Sequence, residues 1–309
     1  ETKPLRYTAI LGGGMNPVKD FLSCAVLRLC SIFSLPSLYR VAGVVAWAMY
    51  HLPNSARRVT ETNIALCYPE LDDTQRAERV RRSLYHTACV GVEMGPLWLW
   101  PPVKLAQHIT RVEGGELFAE AIASGRGVIV LAPHFGNWEM LNVYISQHTT
   151  LYAMYKPHPY PGLDALIRKS RERVGTVTAP ANQRGVATVR KALKTGGTTG
   201  ILPDQVPTQE GAVLAPFFGV PAQSMRLLPS LANKSGAVVV AGVAERLGDG
   251  HFAIHFLPVS EDIYSEDIER AVAAMNAAVE ACVAIAPEQY QWEYKRFKRG
   301  GGLGGDPYA

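Results

Sequence analysis

The sequence predicts an α/β fold, with a mainly parallel central sheet flanked by helices and an N-terminal membrane-associated helical segment ahead of it. Three observations carry this. Short apolar runs such as "VIVLA" (128–132) and "AVVVAGVAE" (237–245) alternate with segments of helical period, roughly 10 to 15 residues long, which is the pattern of strand–helix–strand units. The most apolar stretch of the chain, residues 21–52, lies before that alternation begins. With 48% hydrophobic and 19% charged residues over 309 positions, the chain can bury a sizeable core.

The elements follow in order. Residues 21–52 are interrupted by Arg28, Pro36 and Arg40, so no charge-free run reaches the roughly 18 to 20 residues of a clean spanning helix. Two short amphipathic helices joined at Pro36 fit better. A tilted span with snorkelling arginines and a pair of core helices are the other readings. Residues 74–98 carry apolar side chains at helical spacing and open after "ELDD". "GGELFAEAIASG" is a helix stopped by Gly125, "VIVLA" a buried strand, and "NWEMLNVYISQ" a helix. "LYAMY", "TVTA" and "TGIL" are strands, separated by the helices "GLDALIRKSRERVG" and "GVATVRKALKTGG". "SMRLLPSLANKSG" reads as helical, "AVVVAGVAE" and "HFAIHFLPV" as late strands, and "SEDIERAVAAMNAAVEACVAIA" as a long terminal helix. The organisation is a membrane-associated segment over 1–60, one catalytic-sized domain over 61–298, and a glycine-rich tail over 299–309 expected to be disordered.

Composition narrows the function. Five cysteines without CxxC spacing argue against a disulfide framework and a zinc site, and for a reducing compartment. The net charge of +4 is mild, but Arg57 with Arg58, then Arg79, Arg81 and Arg82, then "EYKRFKR" form basic clusters. These are solvated faces or contacts for anionic lipid headgroups, a phosphorylated substrate or an acidic protein. The chain has no GxSxG elbow, no GxxxxGK[ST] loop, no GxGxxG after a strand and no HExxH. His251 and His255 share a strand face but lie ~13 Å apart, too far to bind one metal.

One stretch carries chemistry. In "VIVLAPHFGNWEM" His134 follows the carboxyl end of a strand, where sites collect in a doubly covered sheet. Gly136 permits a left-handed turn and Asn137 is a good N-cap for the next helix. Glu139 then falls in that helix's first turn, and the chain can fold back to bring it to His134. A carboxylate on one ring nitrogen fixes the tautomer, so that the other nitrogen can take a proton. The same pattern also describes a structural histidine and a capping glutamate, and spacing alone does not choose. With no cysteine near His134, a nucleophile would belong to the substrate.

The motif "APHFGNWEM" resembles the HX4(D/E) signature of glycerolipid-type acyltransferases, most closely the lipid A biosynthesis late acyltransferases. Five more stretches resemble that family in order: "TNIALCYPEL", "AMYKP", "LIRKSRERVG", "GILPDQVP" with "APFFGVPA", and "PEQYQWEYKRFK". The quoted stretches run from 62 to 298, and the likeness covers roughly residues 20 to 298. Lys156 stands where the family usually has arginine, and Tyr294 where it usually has histidine. The resemblance implies acyl transfer from an acyl-carrier-protein thioester to a hydroxyl of a lipid A-type glycolipid, without metal, other cofactor or nucleic acid. It implies His134 as general base oriented by Glu139, with Arg171, Asp204, Lys156, Asn137 and Arg173 as substrate-binding candidates. Backbone amides near Gly136, or Arg171, are the candidate oxyanion donors, and Asp204 the candidate brace for Arg171 or the site. The implied place is the cytoplasmic face of the bacterial inner membrane. Transfer to a lysophospholipid or another glycolipid, and thioester or lipid hydrolysis, are the competing readings.

Overall fold

The computed structural model describes residues 16–298 and 305–309. Residues 1–15 of the N-terminal segment and 299–304 of the tail lie outside the described residues. The chain opens with α1 (Pro17–Cys30) and α2 (Leu35–His51), followed by α3 (Ser55–Cys67), α4 (Asp73–Leu99) and α5 (Pro102–Ala106). Strand–helix alternation then begins: β1 (Ile109–Glu113), α6 (Gly115–Ala123), β2 (Val128–Leu131), α7 (Trp138–His148), β3 (Leu151–Tyr155), α8 (Pro161–Arg173), β4 (Val177–Pro180), α9 (Gln183–Lys194) and β5 (Thr198–Ile201). It closes with β6 (Ala212–Phe217), β7 (Val220–Met225), α10 (Leu227–Ser235), β8 (Val238–Arg246), β9 (Phe252–Pro258) and α11 (Ile268–Ile285).

Seven strands form one sheet in the order β1-β9-β8-β2-β5-β3-β4. Every neighbouring pair is parallel except β8 with β9. The mostly parallel sheet flanked by helices is therefore as expected. Its central strand shows why: all four residues of β2 are fully buried. Their two-residue period sends Ile129 and Leu131 into the core on one face, and Val128 and Val130 into the core on the other. β6 and β7 lie outside the sheet as a separate antiparallel hairpin. That departs from expectation only at its end, since Ser224 and Met225 read as the start of a helix, which begins instead at Leu227. Pro216 and Pro221 face each other across the hairpin, where prolines are tolerated because it borders no further strand.

The N-terminal stretch forms two helices broken at Ser31–Ser34 rather than at Pro36 itself. Pro36 sits in the first turn of α2, where its missing N–H leaves nothing unpaired. α2 buries Leu35, Leu38, Tyr39, Ala42 and Ala46, a helical stripe packed largely on α4. Its other face exposes Val41, Val44, Val45 and Trp47, and α1 exposes Val18, Phe21, Leu22, Val26 and Leu29. Among the described residues no helix is long and apolar enough to cross a membrane. α1 is tied to the domain by Asp20, whose carboxylate accepts from the backbone N–H groups of Gly162 (2.8 Å) and Leu163 (3.0 Å) at the start of α8. The glycines of the tail predict no fixed structure. Beyond them, however, the Tyr308 hydroxyl donates to Asn63 Oδ1 and accepts from the Phe297 amide at 3.0 Å, because an aromatic ring with a polar tip can bury against α3.

Candidate active site

Parallel strands in register bring their carboxyl ends together. β2 and β5 pair Leu131 with Ile201, so His134 and Asp204, each three residues further on, emerge side by side. The Asp204 carboxylate grips His134 twice. Oδ1 lies 2.8 Å from the ring Nδ1, and Oδ2 accepts from the His134 backbone N–H at 2.8 Å. A carboxylate only accepts, so Nδ1 carries the proton and Nε2 is left with its lone pair. That nitrogen faces the Gln205 side-chain amide at 3.3 Å. Asp204 is 3% exposed, and burial by itself would raise its pKa. Electrostatic attraction to the His134 ring, with the hydrogen bonds from its ring N–H and backbone N–H, outweighs burial and holds the carboxyl below its ordinary value.

Glu139 is not the partner of His134. Asn137 does cap α7, its Oδ1 accepting from the Glu139 amide at 3.1 Å, so the helix starts at Trp138. Each helical residue turns the side chain by about 100°. It is Trp138 that meets His134, edge to face with ring centroids 5.0 Å apart. Glu139, one step round, points to α8, where Oε1 accepts from Arg171 Nη2 at 2.7 Å. Arg171 also lies over the Tyr155 ring at 5.5 Å. Glu139 and Arg171 line an apolar cavity of about 120 Å³ with Trp138, Leu141, Ile145 and Met154.

The remaining expected residues divide. Asn137 is fully buried; its Nδ2 donates to Glu93 at 2.6 Å and its Oδ1 caps α7, so neither end is free for a substrate. Arg173 turns away and donates to the carbonyl of Trp98 at 2.9 Å, bracing the end of α4. Lys156 is exposed just past the carboxyl end of β3, on the same edge of the sheet as His134. The Gly136 amide, an expected oxyanion donor, is engaged with the Gln289 carbonyl at 2.9 Å. Gly136 has φ +53°, and a Cβ there would meet the Ala244 carbonyl oxygen at 2.0 Å, so only glycine lets the loop pass β8.

The loop rests on a buried network whose members lie far apart in sequence. Glu93, fully buried in α4, accepts from Tyr39 (2.7 Å), from Asn137, and from both Nε and Nη2 of Arg246 at the end of β8. Arg246 Nη2 also donates to the Gly136 carbonyl at 3.0 Å, and Nη1 meets His86 Nδ1 at 3.1 Å. Arginine only donates, so His86 accepts at Nδ1 and carries its proton on Nε2. Burial, then the charges of Arg246 and Arg82, push the His86 pKa down to about 3, so the ring is neutral near pH 7. A lone carboxylate in an apolar helix stretch, "CVGVEMGPLW", is the one signal in the sequence for Glu93. Among the described residues no group of three or more metal-ligating side chains is placed to hold a metal ion.

The bacterial lipid A biosynthesis acyltransferase family model matches residues 16–299. The chain belongs to that family. Among its relatives, it is 29% identical over 281 residues to the lipid A biosynthesis lauroyltransferase of Escherichia coli K12, covering 90% of each chain. It is 28% identical over 242 residues to the palmitoleoyltransferase of the same organism, covering 78% of each. To the myristoyltransferase of that organism it is 27% identical over 252 residues, covering 80% of this chain and 76% of the relative. The protein is thus an acyltransferase, and it carries two separate polar pairs, His134 with Asp204 past the ends of β2 and β5, and Glu139 with Arg171 between α7 and α8.

Proposed function

We propose that this acyltransferase moves a fatty acyl chain from an acyl-carrier-protein thioester to a hydroxyl of a lipid A-type glycolipid, at the cytoplasmic face of the bacterial inner membrane. The observation that carries the reading is the His134–Asp204 pair, whose second ring nitrogen, Nε2, is directed away from the carboxylate and faces only the Gln205 side-chain amide at 3.3 Å, with no protein nucleophile bonded to it among the described residues. His134 Nε2 takes the proton of the acceptor hydroxyl as its oxygen attacks the thioester carbonyl. Asp204 keeps the tautomer and stabilises the imidazolium. As the tetrahedral intermediate collapses, the C–S bond breaks and the imidazolium returns the proton to the departing thiolate, leaving an ester. The Glu139–Arg171 pair borders the apolar cavity, which suits the start of an acyl chain.

The exposed apolar residues of α1 and α2 support docking on a membrane surface, since a monomeric soluble protein rarely leaves so many on neighbouring helices. Placing carrier-protein thioester and amphiphilic acceptor at one site requires the cytoplasmic leaflet. The test is to incubate the protein with labelled acyl-carrier protein, with and without the acceptor glycolipid. Acylated glycolipid is expected only with acceptor present. Free fatty acid formed equally in both arms would make the enzyme a hydrolase, and labelled lysophospholipid formed in preference would change the acceptor.

A further inference from the structure

Three concavities lie end to end. The apolar cavity beside Glu139 shares Trp138 with a small cavity of about 20 Å³ beside His134, room for about one oxygen atom. That small cavity in turn shares His86 and Gln289 with an open cleft of about 680 Å³. The cleft runs between α4 on one side and the β8–β9 turn with residues 286–289 on the other. One end of the path is apolar, its middle holds the base, and its far end is polar. An amphiphile bearing a hydroxyl at the junction of head and chain matches that division.

The cleft's charges favour an anion. Arg81 and Arg82 line it and are 60% and 55% exposed. Their partners, Glu78 and Glu288, make surface ion pairs, which are weak and open to exchange for a phosphate. Glu245, also on the wall, is engaged by Arg111 and His255. Arg246 is neutralised by Glu93, and neutral His86 lines both the cleft and the small cavity. The volume lies in the range of small-molecule sites, and a groove walled on two sides is a poor seat for the broad face of a folded carrier protein.

Resting on the proposed acyl transfer, we infer that this cleft is the subsite for the anionic, phosphorylated sugar headgroup of the acceptor, with Arg81 and Arg82 on its phosphate. The first measurement is calorimetric binding of a water-soluble phosphorylated disaccharide without acyl chains, against its dephosphorylated counterpart. The unchanged protein should prefer the phosphorylated form. The double variant Arg81→Ala/Arg82→Ala should bind it about tenfold more weakly and lose the preference. Arg82→Lys, which keeps the charge, should retain most of it. In transfer assays the double variant should raise KM for the phosphorylated acceptor by a similar factor and leave KM for acyl-carrier protein unchanged. The inference is overturned if the unchanged protein shows no preference, or if the KM rise falls on acyl-carrier protein, which would make the cleft a protein-docking surface. Saccharide binding without any acyl transfer would instead sink the proposed reaction and leave this subsite standing.

Discussion

Asp204→Asn separates the geometry of this site from the reading that its motif invites. The aspartate accepts two hydrogen bonds, from the His134 ring at 2.8 Å and from the His134 backbone N–H at 2.8 Å. Asparagine has one oxygen and one NH2 group. If its oxygen stays on the backbone N–H, its NH2 faces Nδ1 and forces the ring proton to Nε2, where it blocks proton acceptance. If its oxygen moves to the ring, two N–H groups oppose each other at the backbone. The first arrangement loses the base and the second sets a repulsion against the loop that holds it, while the volume is kept. A wrong tautomer costs roughly 10³ to 10⁴ in kcat, or about 4 to 5.5 kcal/mol of transition-state stabilisation. The assay is single-turnover transfer of labelled acyl chains to glycolipid, with circular dichroism and thermal unfolding confirming the fold. Glu139→Gln, which can still accept from Arg171, should lose far less, within about tenfold, and keep the pH profile of the parent. Should Asp204→Asn keep more than a tenth of parental kcat while Glu139→Gln falls a thousandfold, the assignment of the orienting carboxylate to Asp204 is wrong.

Other consequences are as direct. Glu93→Ala strands the buried Arg246 without its carboxylate and should cost about 3 to 5 kcal/mol in urea unfolding, because an unpaired buried charge is left behind. Gly136→Ala puts a methyl group against the Ala244 carbonyl at a positive φ, and should lower both the unfolding midpoint and kcat. Burial pushes the Glu293 carboxyl above its ordinary value, so its stabilising contribution is present below the ordinary carboxylate range and lost as pH rises through the raised pKa; Glu293→Gln should therefore raise Tm at pH 8 more than at pH 5. The sign is opposite at Asp204, whose lowered pKa contributes stability above the ordinary range that disappears as pH falls through it, so Asp204→Asn should flatten the acid limb of the stability curve. Val44→Asp/Trp47→Asp on the exposed face of α2 should abolish flotation with anionic vesicles and leave Tm unchanged.

What was legible in the sequence was local. The buried strand β2, the left-handed Gly136 and the cap at Asn137 are each settled within a few residues, and each stands where its chemistry predicts. β1 was not legible because "ITRVE" is an edge strand with four exposed residues, so no apolar run announces it. Asp204 was legible only as a turn residue. Its contact with His134 depends on β5 lying next to β2, and strand order is a property of the whole sheet that period and propensity do not carry. The same holds for Glu93 and Arg246, 153 positions apart and joined only when α4 crosses the end of β8.

The HX4E spacing misleads for a definite reason. Closeness in sequence suggests a contact, but the Asn137 cap begins α7 between the two residues, and helical rotation then carries Glu139 away from the ring it seems to address. The spacing still has a physical purpose. It sets His134 beside the small cavity that leads to the polar cleft, and Glu139 with Arg171 in the wall of the apolar one, with Trp138 common to both cavities. Lengthening the segment by a residue would turn Trp138 off the histidine and misalign both chambers. Shortening it would remove either the glycine that clears Ala244 or the asparagine that joins the loop to Glu93. The motif therefore specifies where two side chains point relative to a bent substrate, and the hydrogen bond that completes the base comes from a neighbouring strand.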